Sequence, residues 1–383
     1  MIQEKRKRIL ILIDWFAPGY KAGGPIQSCV NIAFALKDEF EVFVLTTDTD
    51  HGEIVPYSNV STNEWIDYEQ SGIMVYYARK RSLSFDQIKN EITSVNADFV
   101  YLNLLFSPYF AIYPLWLHFR NKISGKVILC PRGTLYESAL SYKAYKKRPF
   151  VFLYKLMGIA KKIKFHATNE REFEAIQKYF PGSNVVIADN LPNTNQPAFT
   201  GCIKNVGSLH CIFIARIVAI KNLLFLLNVL ENVKADVLLT IVGPAEDNNY
   251  WETCKQKIAT LPDNIKTTYL GAKQNNELLR LLQQNHLFVL PTTGENFGHA
   301  IFESFLAGRP VLISDQTPWL GLKQYKAGWD LPLAKPELFT EAIEQLASCD
   351  QQEFDTYANS AWQYANNFIS DPTLKQQYYK LFL

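Results

Sequence analysis

The chain of 383 residues lacks a surplus of either charge. Its 39 Lys and Arg stand against 37 Asp and Glu, a formal net charge of +2. That balance excludes nucleic-acid binding by bulk electrostatics and leaves any basic surface local. Cysteine pairing is also lacking. The six cysteines, at 29, 130, 202, 211, 254 and 349, form no CxxC and have no histidine at metal-ligand spacing, so reduced structural thiols are expected. No acidic or His cluster elsewhere suggests a metal, and none is expected. An unbroken apolar run of membrane-span length is missing too. The nearest approach, Tyr101 to Phe119, is interrupted by Asn103, Ser107, Pro108 and Pro114 and reads as a buried strand, a loop and a buried helix. The basic opening, Lys5 to Arg8, leads into a short apolar stretch closed by Asp14, which reads as a first strand rather than an export signal.

What is present is an ordinary globular composition, 48% apolar and 20% charged, which excludes wholesale disorder. The length exceeds what one hydrophobic core supports, so two domains are expected. Short runs rich in Ile, Val, Leu and Phe alternate with longer helical patterns from end to end, the signature of parallel sheets covered on both faces. Strands are expected at Arg8 to Asp14, Glu41 to Thr47, Asp98 to Asn103, Lys126 to Pro131, Ile163 to Asn169 and Val185 to Ala188. The second half repeats the theme near Cys211 to Ala215, Asp236 to Val242, Thr267 to Gly271, Leu287 to Pro291 and Pro310 to Ser314. Between the halves, Asn190 to Ser208 is polar, carries two prolines and two glycines, and reads as a linker. The expected division is a first doubly wound α/β domain over residues 1–200 and a second over 201–369. A final helix over 370–383, opened by Ser370 with Pro372 just inside, is expected to cross back to the first domain. Two such domains facing each other make a cleft, and open α/β sheets bind ligands beyond the carboxyl ends of their strands.

The loops after strands are therefore where chemistry is sought. After Leu290-Pro291 the chain runs from Thr292 to His299 and enters a helix. Two carboxylates, Glu295 in the loop and Glu303 in the helix, are separated by seven residues. Glu295 can reach a hydroxylated ring and Glu303 can accept hydrogen bonds from a ribose. Between them Asn296, Phe297, Gly298 and His299 lead into a helix N-terminus whose amides favour an anionic phosphate. The segment GENFGHAIFES resembles the E-x7-E motif of the family-four retaining glycosyltransferases. IFIARIVAIKN, with Arg216 and Lys221, resembles the R-x4-K element of the same family, whose two cations grip the donor diphosphate. IVGPAED at 241–247, Tyr269-Leu270-Gly271 and Ala307 to Val311 match further, so the resemblance spans Leu209 to about Leu333. It implies the GT-B fold, two Rossmann-like domains facing across a cleft. It also implies a nucleotide-sugar donor, with UDP favoured over GDP, and transfer with retention that needs no enzymic nucleophile. Catalysis would then come from Arg216, Lys221 and Glu295, with Glu303 and Lys273 on the donor side.

The first domain resembles the family more loosely. Trp15 to Pro25 resembles its glycine-rich loop, where Gly24, with Gly23 beside it, is expected to meet the donor diphosphate. Asn103 stands where many relatives carry a histidine, and Arg132 and Glu170 lie in further segments that resemble the family's acceptor side. Asp48-Thr49-Asp50 mimics a metal-binding DxD of a different transferase fold, but its place after the second strand reads as a turn. Lys143 to Lys164 holds eight basic residues and no acid among Phe150, Phe152, Leu153, Leu156 and Met157. Such a stretch fits either an anionic membrane or a helix with one buried face and a lysine-rich solvent face. The function expected is a glycosyltransferase of surface polysaccharide or glycolipid synthesis, cytoplasmic or peripheral at the inner face of the cytoplasmic membrane. It would act on a glycan or lipid-linked acceptor. The other readings are a sugar-phosphate synthase or phosphorylase of the same fold, or a non-catalytic two-domain sugar-binding protein.

Overall fold

The computed structural model describes residues 5–141, 144–192 and 198–383. It divides into two compact units, Met1–Asn193 with Pro372–Leu383, and Thr194–Asp371. Lys143 and residues 193–197 of the expected linker lie outside the described residues.

Among the described residues the first unit carries β1 (Arg8–Leu12), β2 (Glu41–Thr47), β3 (Trp65–Asp67), β4 (Met74–Ala78), β5 (Phe99–Asn103), β6 (Lys126–Cys130), β7 (Lys164–Ala167) and β8 (Asn184–Ile187). They form one sheet in the order β3-β4-β2-β1-β5-β6-β7-β8, parallel except where β3 runs against β4. Its helices are α1 (Gly24–Leu36), α2 (Phe85–Val95), α3 (Tyr113–Phe119), α4 (Glu137–Ser141), α5 (Ala144–Leu156) and α6 (Glu170–Tyr179). Ile9, Leu10, Ile11 and Leu12 of the central strand have no exposed surface, as a strand covered on both faces demands. Local chemistry sets the helix starts: Ser84 Oγ accepts from the Gln87 amide at 3.1 Å, and Asn169 Oδ1 from the Glu172 amide at 2.8 Å.

The second unit carries β9 (Ser208–Ile214), β10 (Asp236–Val242), β11 (Ile265–Tyr269), β12 (Leu287–Leu290), β13 (Val311–Ser314) and β14 (Gly328–Leu331), in the order β11-β10-β9-β12-β13-β14. All the pairings are parallel. The helices α7 (Leu223–Leu230), α8 (Asn248–Ile258), α9 (Asn275–Gln283), α10 (His299–Leu306), α11 (Pro336–Ser348) and α12 (Gln351–Ile369) cover it. A last helix, α13 (Pro372–Leu381), belongs to the first unit. Its Tyr378 and Leu381, with Phe382 beyond, have no exposed surface, and Phe382 meets the rings of Phe40, Phe99 and Tyr101 at 5.6 to 5.9 Å.

Each sheet reverses its winding once. In the first, β1 lies between β2 and β5; in the second, β9 lies between β10 and β12. At such a switch point the loops leaving two adjacent strands turn opposite ways and leave a crevice at their carboxyl ends.

Candidate donor site

In the second unit that crevice lies between the loop after β9, residues 215–222, and the loop after β12, residues 291–298. The first of these carries Arg216 and Lys221, the second Glu295. The two are stitched together by hydrogen bonds: the Thr293 amide donates to Ile220 O at 2.8 Å and the Thr292 hydroxyl to the same oxygen at 3.0 Å. Asn222, at φ 61°, turns the first loop into α7. Close contact also shapes the neighbouring loop. A Cβ on Gly243, after β10, would come within 1.9 Å of Ala215 O, so a side chain there would force the loops apart.

The stitching brings Lys221 Nζ and Glu295 Oε1 into an ion pair, with 17% and 12% of their side-chain surfaces exposed. Arg216 Nη1 donates to Glu246 Oε2 at 2.9 Å. Both cations singled out in the sequence are thus held by carboxylates, and the second carboxylate, Glu246, was not anticipated. A glutamate inside IVGPAED carries no local signal of an arginine thirty residues upstream.

Beyond Glu295, whose amide donates to Gln316 O at 3.1 Å, the loop is anchored by Phe297. That ring is buried against Trp319, Phe302 and His299, and Trp319 Nε1 donates to Phe297 O. Phe297 therefore offers a ligand only its backbone. Asn296 and His299 are partly exposed on either side of it. Gly298, at φ 79°, starts α10, whose first turn points its amides toward the loop. Glu303 is partly buried one turn on, with no hydrogen-bond or ion-pair partner among the described residues, and burial pushes its carboxyl up to about 7. Lys273 follows the edge strand β11, two strands from β9, and pairs with Glu277 at 3.2 Å. It is not drawn into the Lys221–Glu295 group.

The remaining sequence candidates lie in the first unit. Gly23 takes φ 69° at the start of α1, and Gly24 is the first residue of that helix. Their loop is held from beneath by Asp50, whose Oδ2 accepts from the amides of Tyr20 at 2.8 Å and Lys21 at 3.1 Å. Asp48 Oδ1 accepts from the Lys80 amide at 3.0 Å. The Asp48-Thr49-Asp50 triplet is buried and works as a loop fastener. Among the described residues no three His, Cys, Asp or Glu side chains are grouped to hold a metal.

Asn103 and Arg132, expected on the acceptor side, are buried in the structure. Asn103 is fully buried, donates to Leu12 O at 3.3 Å and accepts from Arg132 Nε at 3.2 Å. Arg132 also reaches Asn190 Oδ1 and, at 3.2 Å, Tyr101 Oη. Tyr101 in turn donates to His166 Nδ1 at 2.7 Å, while His166 Nε2 donates to Ala188 O. Burial first, then the Arg132 charge, pushes His166 down to about 3 and keeps it neutral. A guanidinium on a buried turn thus satisfies its donors with the amide and phenol oxygens around it. Glu170 is exposed in the first turn of α6. The carboxylate that matters there is Glu172, fully buried, accepting from the Gly133 amide and from the Thr168 amide and hydroxyl.

Residues 208–349 match the family described as Glycosyl transferases group 1. No curated protein matches the sequence. Solved structures with this architecture include sucrose-phosphate synthase from Thermosynechococcus elongatus, at 15% identity, a TM-score of 0.73 and 98% of each chain covered. They also include HepE from Anabaena in complex with UDP-glucose, at 16% identity, a TM-score of 0.68 and 98% of each chain covered. A glycosyltransferase from Rickettsia africae matches at 14% identity with a TM-score of 0.71, again over 98% of each chain. At such identities the likeness speaks for the fold, which is GT-B with two Rossmann-like units.

Proposed function

We propose that this chain of GT-B fold, whose residues 208–349 match the group 1 glycosyl transferases, is a retaining hexosyltransferase that uses a nucleotide diphosphate sugar. The observation that carries this is the Lys221–Glu295 pair, set at the switch point of the second sheet beside the N-terminus of α10. A diphosphate entering there meets Lys221 and the first-turn amides of α10, with Arg216 on the same loop. Displacing Glu295 from Lys221 frees its carboxylate for sugar hydroxyls, so donor binding exchanges one charge pair for two new interactions. Glu303 receives the ribose. In the transfer, the acceptor hydroxyl oxygen bonds to the anomeric carbon as the bond to the diphosphate oxygen breaks on the same face. The acceptor proton passes to the departing diphosphate. Arg216, Lys221 and the amides stabilise the growing negative charge.

UDP is the favoured nucleotide of the donor, a reading supported by the HepE complex with UDP-glucose. The acceptor in this proposal is a glycan or a lipid-linked glycan of surface polysaccharide or glycolipid synthesis, reached from the cytoplasm. The test is a thermal-shift and hydrolysis panel of UDP-, GDP- and ADP-sugars without added metal, on the native protein and on Lys221→Ala and Glu303→Ala. One nucleotide sugar should stabilise the native protein and neither variant, and Lys221→Ala should slow turnover by about a hundredfold or more. A protein indifferent to all three donors, or variants that respond as the native protein does, would remove this reading.

A further inference from the structure

A surface helix with one buried face turns polar residues to water, and α5 turns a stripe of large apolar ones there as well. Its inward face is Val151 and Tyr154, both buried. On the other side Tyr145, Phe152 and Leu156 recur at spacings of seven and four, one stripe of a helix, and are 72%, 68% and 72% exposed. Leu153 flanks the stripe at 51%. An apolar face this open, on a helix that already has a buried face, is a contact surface without its partner.

The charges beside it name that partner. Lys146, Lys155, Lys161 and Lys162 are exposed along α5 and the turn that follows. Lys147 and Lys164 are occupied elsewhere, donating to Ala139 O at 2.7 Å and Leu381 O at 2.9 Å. The acid beside the helix, Glu137, is neutralised by Arg148 at 2.6 Å and Lys178 at 3.7 Å. Next to this turn, α3 packs through Phe119, over which Lys162 sits at 4.6 Å, and α3 adds Trp116, 45% exposed, with Arg120 over its ring at 5.6 Å. Aromatic and aliphatic side chains fringed by cations match the boundary of an anionic bilayer, where the rings and chains enter the headgroup layer and the ammonium groups stay in it. A second copy of the chain is a poor fit, because an isologous contact would set these cations against themselves. Among the described residues no helix is long and apolar enough to cross a membrane.

We propose that the outward face of α5 docks the protein on an anionic membrane surface. This stands apart from the donor site and does not depend on it. The experiment is co-sedimentation with vesicles of phosphatidylcholine alone or mixed with phosphatidylglycerol, at low and high salt. It compares the native chain, the double variant Phe152→Ser with Leu156→Ser, and the double variant Lys146→Gln with Lys155→Gln. All four positions are exposed, and a melting temperature near the native one is the control that each variant folds. The native chain should sediment with the anionic vesicles and not the neutral ones. Each double variant should bind roughly tenfold more weakly, and high salt should release the native chain. Absence of binding to the anionic vesicles, or binding that neither variant alters, overturns the proposal. So does a self-association in solution that the Phe152→Ser with Leu156→Ser variant abolishes, if vesicles do not bind.

Discussion

At the scale of single residues, the structure turns charges that look independent in sequence into pairs. Glu295 and Lys221 stand out through segments that resemble two separate family motifs, but nothing in their neighbourhoods shows that they touch. The pairing depends on β12 returning beside β9, a fact of sheet order. Glu303 is the opposite case, a carboxylate with no described partner whose burial favours the neutral acid. Its folded value, about 7, lies above its unfolded value, so the folded state binds the proton more tightly. Stability from this group is therefore greatest at low pH. It is lost as pH rises through the window from the ordinary carboxylate range to about 7. Glu303→Gln is expected to raise stability by about 1 kcal/mol at pH 8 and to change it little near pH 5, read from urea unfolding at both. The same change should abolish stabilisation by the nucleotide sugar, so that the variant is more stable and less competent.

Among the elements, alternating strand and helix patterns were legible because buried parallel strands are nearly pure runs of Ile, Leu, Val and Phe. Arg8–Leu12, Glu41–Thr47, Asp236–Val242 and Leu287–Leu290 fall where the sequence put them. The strands that went unread are Trp65–Asp67, Met74–Ala78 and Gly328–Leu331. The first and last of these lie at sheet edges, half-solvated and only three and four residues long, so neither shows the apolar run that marks the others. Met74–Ala78 does carry such a run, Val-Tyr-Tyr-Ala, largely in aromatic rings. Thr267 to Gly271 proved two residues late, since the strand is Ile265–Tyr269 and mostly solvated. Gly243 shows what a motif match leaves unsaid. IVGPAED marked the segment, while the reason for its glycine is the carbonyl of Ala215, reached from the adjacent strand, together with φ 139°. Gly243→Ala should lower stability by about 2 kcal/mol or more and loosen the loop that carries Arg216, as urea unfolding and donor titration would record.

For the whole molecule, the first unit is closed by residues from the far end of the described chain. Phe382 fills a space among Phe40, Phe99 and Tyr101, and α13 is pinned by Lys375 to Glu39 at 2.7 Å and by the Asp189 amide donating to Gln377 Oε1 at 2.8 Å. Phe382→Ala should cost about 3 kcal/mol of the first unit's stability, seen in calorimetry or denaturant unfolding, without altering the melting of the second.

That closing helix also imposes a schedule on synthesis. The first unit leaves the ribosome with its strands complete but without the segment that seals Tyr101 and Phe99, and residues 194–371 must be made before that segment emerges. At roughly 5–20 residues per second the wait is on the order of 10–40 s, during which a hydrophobic groove stands open on a nascent chain. The second unit, continuous in sequence, can finish folding first, so the order of maturation runs against the order of translation.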